Sequence, residues 1–221
     1  MSQFKLSTMK NPILKKPGAA ITLILTFAFY GCATLAETGQ SIIPYPFKTA
    51  KIEYNITGNL EGTTTVKIKG NNVSHETIVT GNSEESMVHS MLIETESKLY
   101  QINLIEKTGN SSDNPVFKQV EQLPQNRRMD YMSKLATGLS GEDTAANPPI
   151  GQKKVAGETC DLYQIRGLGE ICLWNSIPLY SMVEIPDKNI KSTTTASSIQ
   201  TNVEIPDSDF AVPEGITMTE I

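Results

Sequence analysis

Residues 50–56, AKIEYNI, alternate apolar and polar side chains position by position. Ile52, Tyr54 and Ile56 fall on one side, and Lys51, Glu53 and Asn55 on the other. A period of two is the pattern of a strand with one buried and one wet face. The pattern repeats in TTTVKIKG, which contributes Val66 and Ile68, and two further strands follow in SMVHSMLIETE and KLYQINLIEK. Turn residues punctuate these segments about every ten positions, at Gly58-Asn59, Gly70-Asn71-Asn72, Gly81-Asn82-Ser83 and Glu96-Ser97. Phe47 to Lys107 therefore reads as an antiparallel meander, which ties the chain to a sheet whose apolar face must be covered.

Helical signals are confined to the middle. Asp113-Asn114-Pro115 has the form of an N-cap followed by proline in the first turn, and predicts a short helix to about Leu123. In QNRRMDYMSKLATG, Met129, Met132, Leu135, Ala136 and Leu139 recur at helical spacing, with Gly138 as a stop. After the loop SGEDTAANPPIGQ the chain returns to β. KKVAGETCDLYQI, EICLWNSIPLYSMVEI and the Thr/Ser-rich KSTTTASSIQTNVEI read as strands, and PDSDFAVPEGITM as an irregular tail. The fold class is α+β: about eight to ten antiparallel strands in a strongly curved sheet, with one or two helices covering one face.

The N-terminus carries a targeting pattern. Lys15-Lys16 precede an uncharged run whose strongly apolar part, Ala19 to Tyr30, has the length of a signal-peptide h-region and is short for a bilayer span. Met9-Lys10 offers an alternative start to Met1. Cleavage after Ala36, with Thr34 at the third position before the cut, makes residues 1–36 a signal peptide and 37–221 one domain. Acylation of Cys32, preceded by Gly31, is the alternative, and an uncleaved anchor is a third. Each route expects a periplasmic or extracytoplasmic domain, lipoprotein-anchored in the second. Residues 1–36 hold four lysines and no acidic residue, so the formal net charge of -5 becomes -9 for the remainder. That acidity argues against nucleic acid as a partner.

Of the three cysteines, either cleavage route takes Cys32 out of thiol chemistry and leaves Cys160 and Cys172. An even pair in an exported domain reads as a disulfide. A tight turn at Gly167-Leu168 would set Cys172 opposite Tyr163. The bridge therefore predicts a wider loop, about Gln164 to Leu168. Two buried free thiols are the other reading. His75 and His89 lie far from the cysteines and no CxxC spacing exists, so no metal site is indicated.

The C-terminal part resembles the periplasmic lipoprotein-carrier superfamily (LolA/LolB-like) and related uncharacterised exported proteins. The resemblance rests on Gly157 to Tyr163 (GETCDLY), Trp174 to Leu179 (WNSIPL) and Phe210 to Gly215 (FAVPEG), and covers roughly the last 70 residues. It implies an open half-barrel with helices as a lid over an apolar cavity, where the carrier members hold acyl chains.

Candidate sites follow from that picture. Met87, Met91, Met129, Met132 and Met182 lie on predicted core faces or helices, and flexible, polarisable methionines suit a surface that accepts varied apolar chains. With Leu135 and Trp174 they form the candidate ligand cavity, set against the reading that they are ordinary core. His75 and His89 sit on separate strands with no nucleophile motif nearby, and are expected to be exposed or at a sheet edge. Paired acids such as Glu84-Glu85 and Glu142-Asp143 fall in turns, where a raised pKa is not expected. No catalytic residue and no cofactor is expected. The expected function is non-catalytic binding or carriage of a lipid or acyl chain in the cell envelope. The alternative is a structural or interaction lipoprotein, anchored through Cys32, with an envelope protein as partner.

Overall fold

Twelve strands join one sheet in the order β12-β6-β5-β4-β3-β2-β1-β11-β10-β9-β8-β7. The computed structural model describes residues 45–80, 87–136, 148–165, 169–185 and 190–221. The predicted signal segment, Cys32, Gly138, Leu139 and the side chain of Leu135 lie outside the described residues.

The meander forms as the alternation predicts. β1 (Thr49–Gly58), β2 (Glu61–Lys69), β3 (Asn72–Thr80), β4 (Val88–Glu94), β5 (Lys98–Asn103) and β6 (Thr108–Asp113) pair antiparallel in sequence order. Gly70 takes φ 55° in the turn between β2 and β3, a left-handed conformation that suits glycine. The second half runs β7 (Gly151–Val155), β8 (Glu158–Ile165), β9 (Gly169–Trp174), β10 (Ile177–Ile185) and β11 (Ile190–Thr201). β11 closes back on β1 through antiparallel pairs from Ala50↔Thr201 to Gly58↔Ser192. Long-range pairing thus joins the two halves into one sheet.

Three elements differ from the sequence reading. KKVAGETCDLYQI is a hairpin, because Ala156 and Gly157 take φ 49° and 93° and reverse the chain between Val155 and Glu158. β6, TGNSSD, has no apolar pattern, yet pairs with β5 from Thr108 to Asp113. The tail ends in β12 (Thr217–Glu220), which runs parallel to β6. Pro178 sits within β10 because the ladder to β9 shifts register between Pro178 and Tyr180, and the irregularity removes the need for a regular donor there.

Among the described residues the α-helices are α1 (Pro115–Gln122) and α2 (Gln125–Ala136). Asn114 caps α1, its side chain accepting from the Phe117 amide, and Pro115 occupies the first turn. Pro124 separates the helices, as read from the sequence.

Burial divides into separate clusters. On one face of the sheet Ala50, Ile52, Tyr54, Val66, Ile68, Val73, Leu179, Ala196 and both bridged cysteines pack together. Phe117, Val120 and Met132 form a second, smaller cluster belonging to the helices. On the opposite face Ile93 and Ile102 pack under Ile205 and Phe210 of the tail. Lys69 Nζ donates to the Ile205 carbonyl, and Lys67 pairs with Asp209 at 3.0 Å, so the tail is strapped across the back of β2 and β3. The result is an open curved sheet with helices on one face and a C-terminal strap on the other.

Candidate functional site

The helix-covered face is read directly from the register. Val73, His75, Thr77 and Val79 of β3 stand opposite Ile68, Val66, Thr64 and Gly62 of β2. Across the other side they meet Glu94, Leu92, Ser90 and Val88 of β4. His75 and Glu94 therefore share the apolar face with Ile52, Tyr54, Val66, Ile68 and Val73. They are 7% and 4% exposed. This corrects the expectation for His75, which is buried inside the sheet and not at an edge. His89 lies on the other face, half-buried, with Nε2 2.8 Å from Glu76 Oε1.

Nε2 of His75 lies 3.9 Å from Oε1 of Glu94, beyond hydrogen-bond reach. Oε1 of Glu94 is buried with no hydrogen-bond partner among the described residues. Burial raises the Glu94 carboxyl from 4.5 to about 8 and lowers His75 from 6.5 to about 4. Both groups are thus mainly uncharged at neutral pH, because holding a charge out of water costs more than changing the protonation state.

Glu94 sits at the corner where the helices begin. The Asn114 amide donates to Ser97 O, and its side chain donates to Thr95 O, pinning the start of α1 to the turn after β4. At the adjoining turn Asn71 Nδ2 donates to Glu96 Oε1 at 2.7 Å. The far end of the helix pair rests on the β9–β10 turn, where Ser176 Oγ donates to Met129 O at 3.3 Å. Asn175 and Ser176 take φ 48° and 65°, which makes this a two-residue hairpin turn and places Ser176 there. Between these two anchors, Tyr45 packs against both the sheet cluster and the helix cluster. Tyr45 stacks on Phe47 at 5.2 Å, and Phe47 on Trp174 at 5.7 Å.

The candidate cavity residues do not form one group. Met132 is fully buried and Met129 partly buried in the helix cluster, and Trp174 packs against the sheet cluster on the same side. Met91 pairs with Glu76 on the opposite face and packs under the tail. Met87 is half-exposed. Met182 is partly buried opposite Glu170 and Thr193. The register explains the division: Met91 is one residue out of phase with Leu92, and a strand sends such neighbours to opposite faces.

Cys160 and Cys172 are joined and buried, with Cα atoms 5.4 Å apart. The expected wide loop does not occur. Pairing continues to Ile165↔Gly169, and Cys172 stands opposite Leu162, so the bridge runs diagonally across the ladder. Residues 166–168 lie outside the described residues. Among the described residues no group of three His, Cys, Asp or Glu side chains could hold a metal ion.

No family model and no curated protein matches the chain. Several solved structures resemble it distantly. An uncharacterized conserved protein from Thermus thermophilus aligns with a TM-score of 0.49 and 8% identity over 80% of this chain and 92% of that one. The Pseudomonas aeruginosa MucA/MucB complex gives 0.43 and 10% over 78% of this chain, which spans 58% of the matched chain. A DUF1329 family protein from Desulfovibrio piger gives 0.29 and 9% over 76% of this chain and 91% of that one. No residue role or activity is carried across from these likenesses.

Proposed function

We propose that the protein is an exported, non-catalytic binding protein that takes an apolar ligand, a lipid or acyl chain, between the sheet and the helix pair. The observation that carries this reading is the division of the core. Among the described residues Phe117, Val120 and Met132 of the helices form one buried cluster, the sheet residues form another, and Tyr45 packs on both. Two clusters bridged chiefly by Tyr45 would exchange fewer contacts on parting than a single interdigitated core. Asn114 and Ser176 anchor the two ends of the helix pair to turns of the sheet.

The Cys160–Cys172 bridge supports an oxidising compartment, in keeping with the signal-like N-terminus. The face combines an apolar part, Ile52, Val66, Ile68 and Val73, with polar residues toward Glu94, a mix that fits a small-molecule site that orients its ligand by hydrogen bonds. Titration of delipidated protein with Nile red, followed by displacement with long-chain lipids, tests the reading. Saturable binding that lipids reverse is the expected result. Absence of binding by wild-type protein would contradict it.

A further inference from the structure

Glu94 is a buried acid on the helix-covered face of the sheet. Its Oε1 has no hydrogen-bond partner among the described residues, and its strand neighbour on the same face, Leu92, is apolar. Unsatisfied buried groups are rare in folded proteins and call for an occupant or a use. A second observation narrows the occupant. On strands β1 to β6 the register places every lysine away from this face: Lys51, Lys67, Lys69 and Lys98 are each out of phase with the inward residues Ile52, Val66, Ile68 and Leu99. Lys153 lies at the far edge of the sheet, over the Tyr180 ring at 3.2 Å. An anionic headgroup near Glu94 would find no countercharge among the lysines of these described strands.

Resting on the binding reading above, we infer that Glu94 and His75 form the polar end of the ligand space and receive an uncharged hydrogen-bonding group, a hydroxyl or ester, at the head of an apolar chain. A protonated carboxyl both donates and accepts, so it can satisfy a hydroxyl fully. Glu94 holds its proton to about 8, so this donor is present at neutral pH. Among the described residues, the ionisable groups on its side are His75 on β3, 3.9 Å away, Tyr54 farther along the same face, and Glu96 in the adjoining turn, which accepts from Asn71. At the corner with β5, β6 and α1, Lys98 and Lys118 both pair with Asp113, and Lys98 also with Glu220. No acidic residue lies in the first turn of α1.

The test is Nile red displacement from the full protein by 1-monooleoylglycerol, oleate and 1-octadecene. Wild type should bind monooleoylglycerol about tenfold tighter than octadecene or oleate at pH 7, the scale of one buried hydrogen bond. Glu94→Leu should bring the ratio of monooleoylglycerol to octadecene affinity to about one. The wild-type ratio should also change as pH rises through 8, where Glu94 turns from donor and acceptor to acceptor only, and Glu94→Gln should remove that change. Preference for oleate, or a wild-type ratio of about one at pH 7, overturns the inference and leaves the binding reading intact. So does a ratio unaffected both by Glu94→Leu and by pH. Failure of all three lipids on wild type overturns the binding reading itself. If Glu94→Leu does not fold, the wild-type pH profile decides.

Discussion

His75 and Glu94 face each other diagonally across β3 and β4, 3.9 Å apart, and burial leaves both mainly uncharged at neutral pH. Each therefore links folding to pH, in opposite directions. In the unfolded chain Glu94 releases its proton near 4.5, but in the fold it holds it to about 8. The native state binds the extra proton between those values, so stability falls as pH rises through them and levels off above about 8. His75 charges near 6.5 when unfolded and near 4 when folded. The unfolded state binds the extra proton there, so stability falls as pH drops from 6.5 to 4.

The two effects oppose one another between pH 4.5 and 6.5 and leave the Glu94 loss alone between 6.5 and 8. Glu94→Gln should remove that loss and gain at least about 1 kcal/mol relative to wild type at pH 8 compared with pH 6. His75→Gln should turn the acidic plateau into a slope, with stability rising toward pH 4.5. Urea unfolding across pH 4–9 reads both. Parallel profiles for all three proteins would contradict the assignment.

Asn114 serves both as the N-cap of α1 and as a donor to Thr95 O. Asn114→Ala should cost about 1–2 kcal/mol, since the part-buried acceptor Thr95 O also loses its donor. The helix pair should loosen before the sheet does. Amide exchange that speeds in residues 115–132 but not in β1–β3 is the expected outcome, and uniform loss of protection would contradict it.

The alternation in residues 50–56 made β1 legible, and the same parity carried through β2 to β5. Asn114-Pro115 made the start of α1 legible to the residue. β6 was not, because its buried position is Gly109, on the tail-covered face, which has no side chain to signal burial. Burial there comes from Met218 of β12, a contact supplied by the far end of the chain. The same parity could have identified Glu94, which falls in phase with Leu92, and His75, which falls in phase with Val73. Residue type favoured the surface, and only the three-dimensional packing reversed it.

Gly109 is a specific consequence of that contact. A Cβ there would meet Met218 Sδ at 2.6 Å and Gln101 O at 2.9 Å, the second being backbone. Gly109→Val should displace β12 and cost about 1–3 kcal/mol. Exchange protection should vanish at Met218–Glu220 while the β1–β2 pair keeps its own. Retained protection in β12 would show that the strap docks independently of this glycine.

Reduction of the Cys160–Cys172 bridge, or the double change to alanine, should lower stability by about 3 kcal/mol, the loop-closure value for a separation this short. Urea unfolding with and without reductant measures it. An unchanged midpoint would mean that the bridge does not constrain the unfolded chain.

The central claim is that the helix pair parts from the sheet to admit an apolar chain. Native mass spectrometry of protein isolated from the exported fraction, with organic extraction of the same sample, tests it most directly. The account predicts a lipid-sized mass adduct that extraction removes, that returns when monooleoylglycerol is added, and that is lost when an engineered disulfide locks α2 to the β9–β10 turn. A protein that is empty as isolated, stays empty with added lipid, and is indifferent to the lock would contradict it.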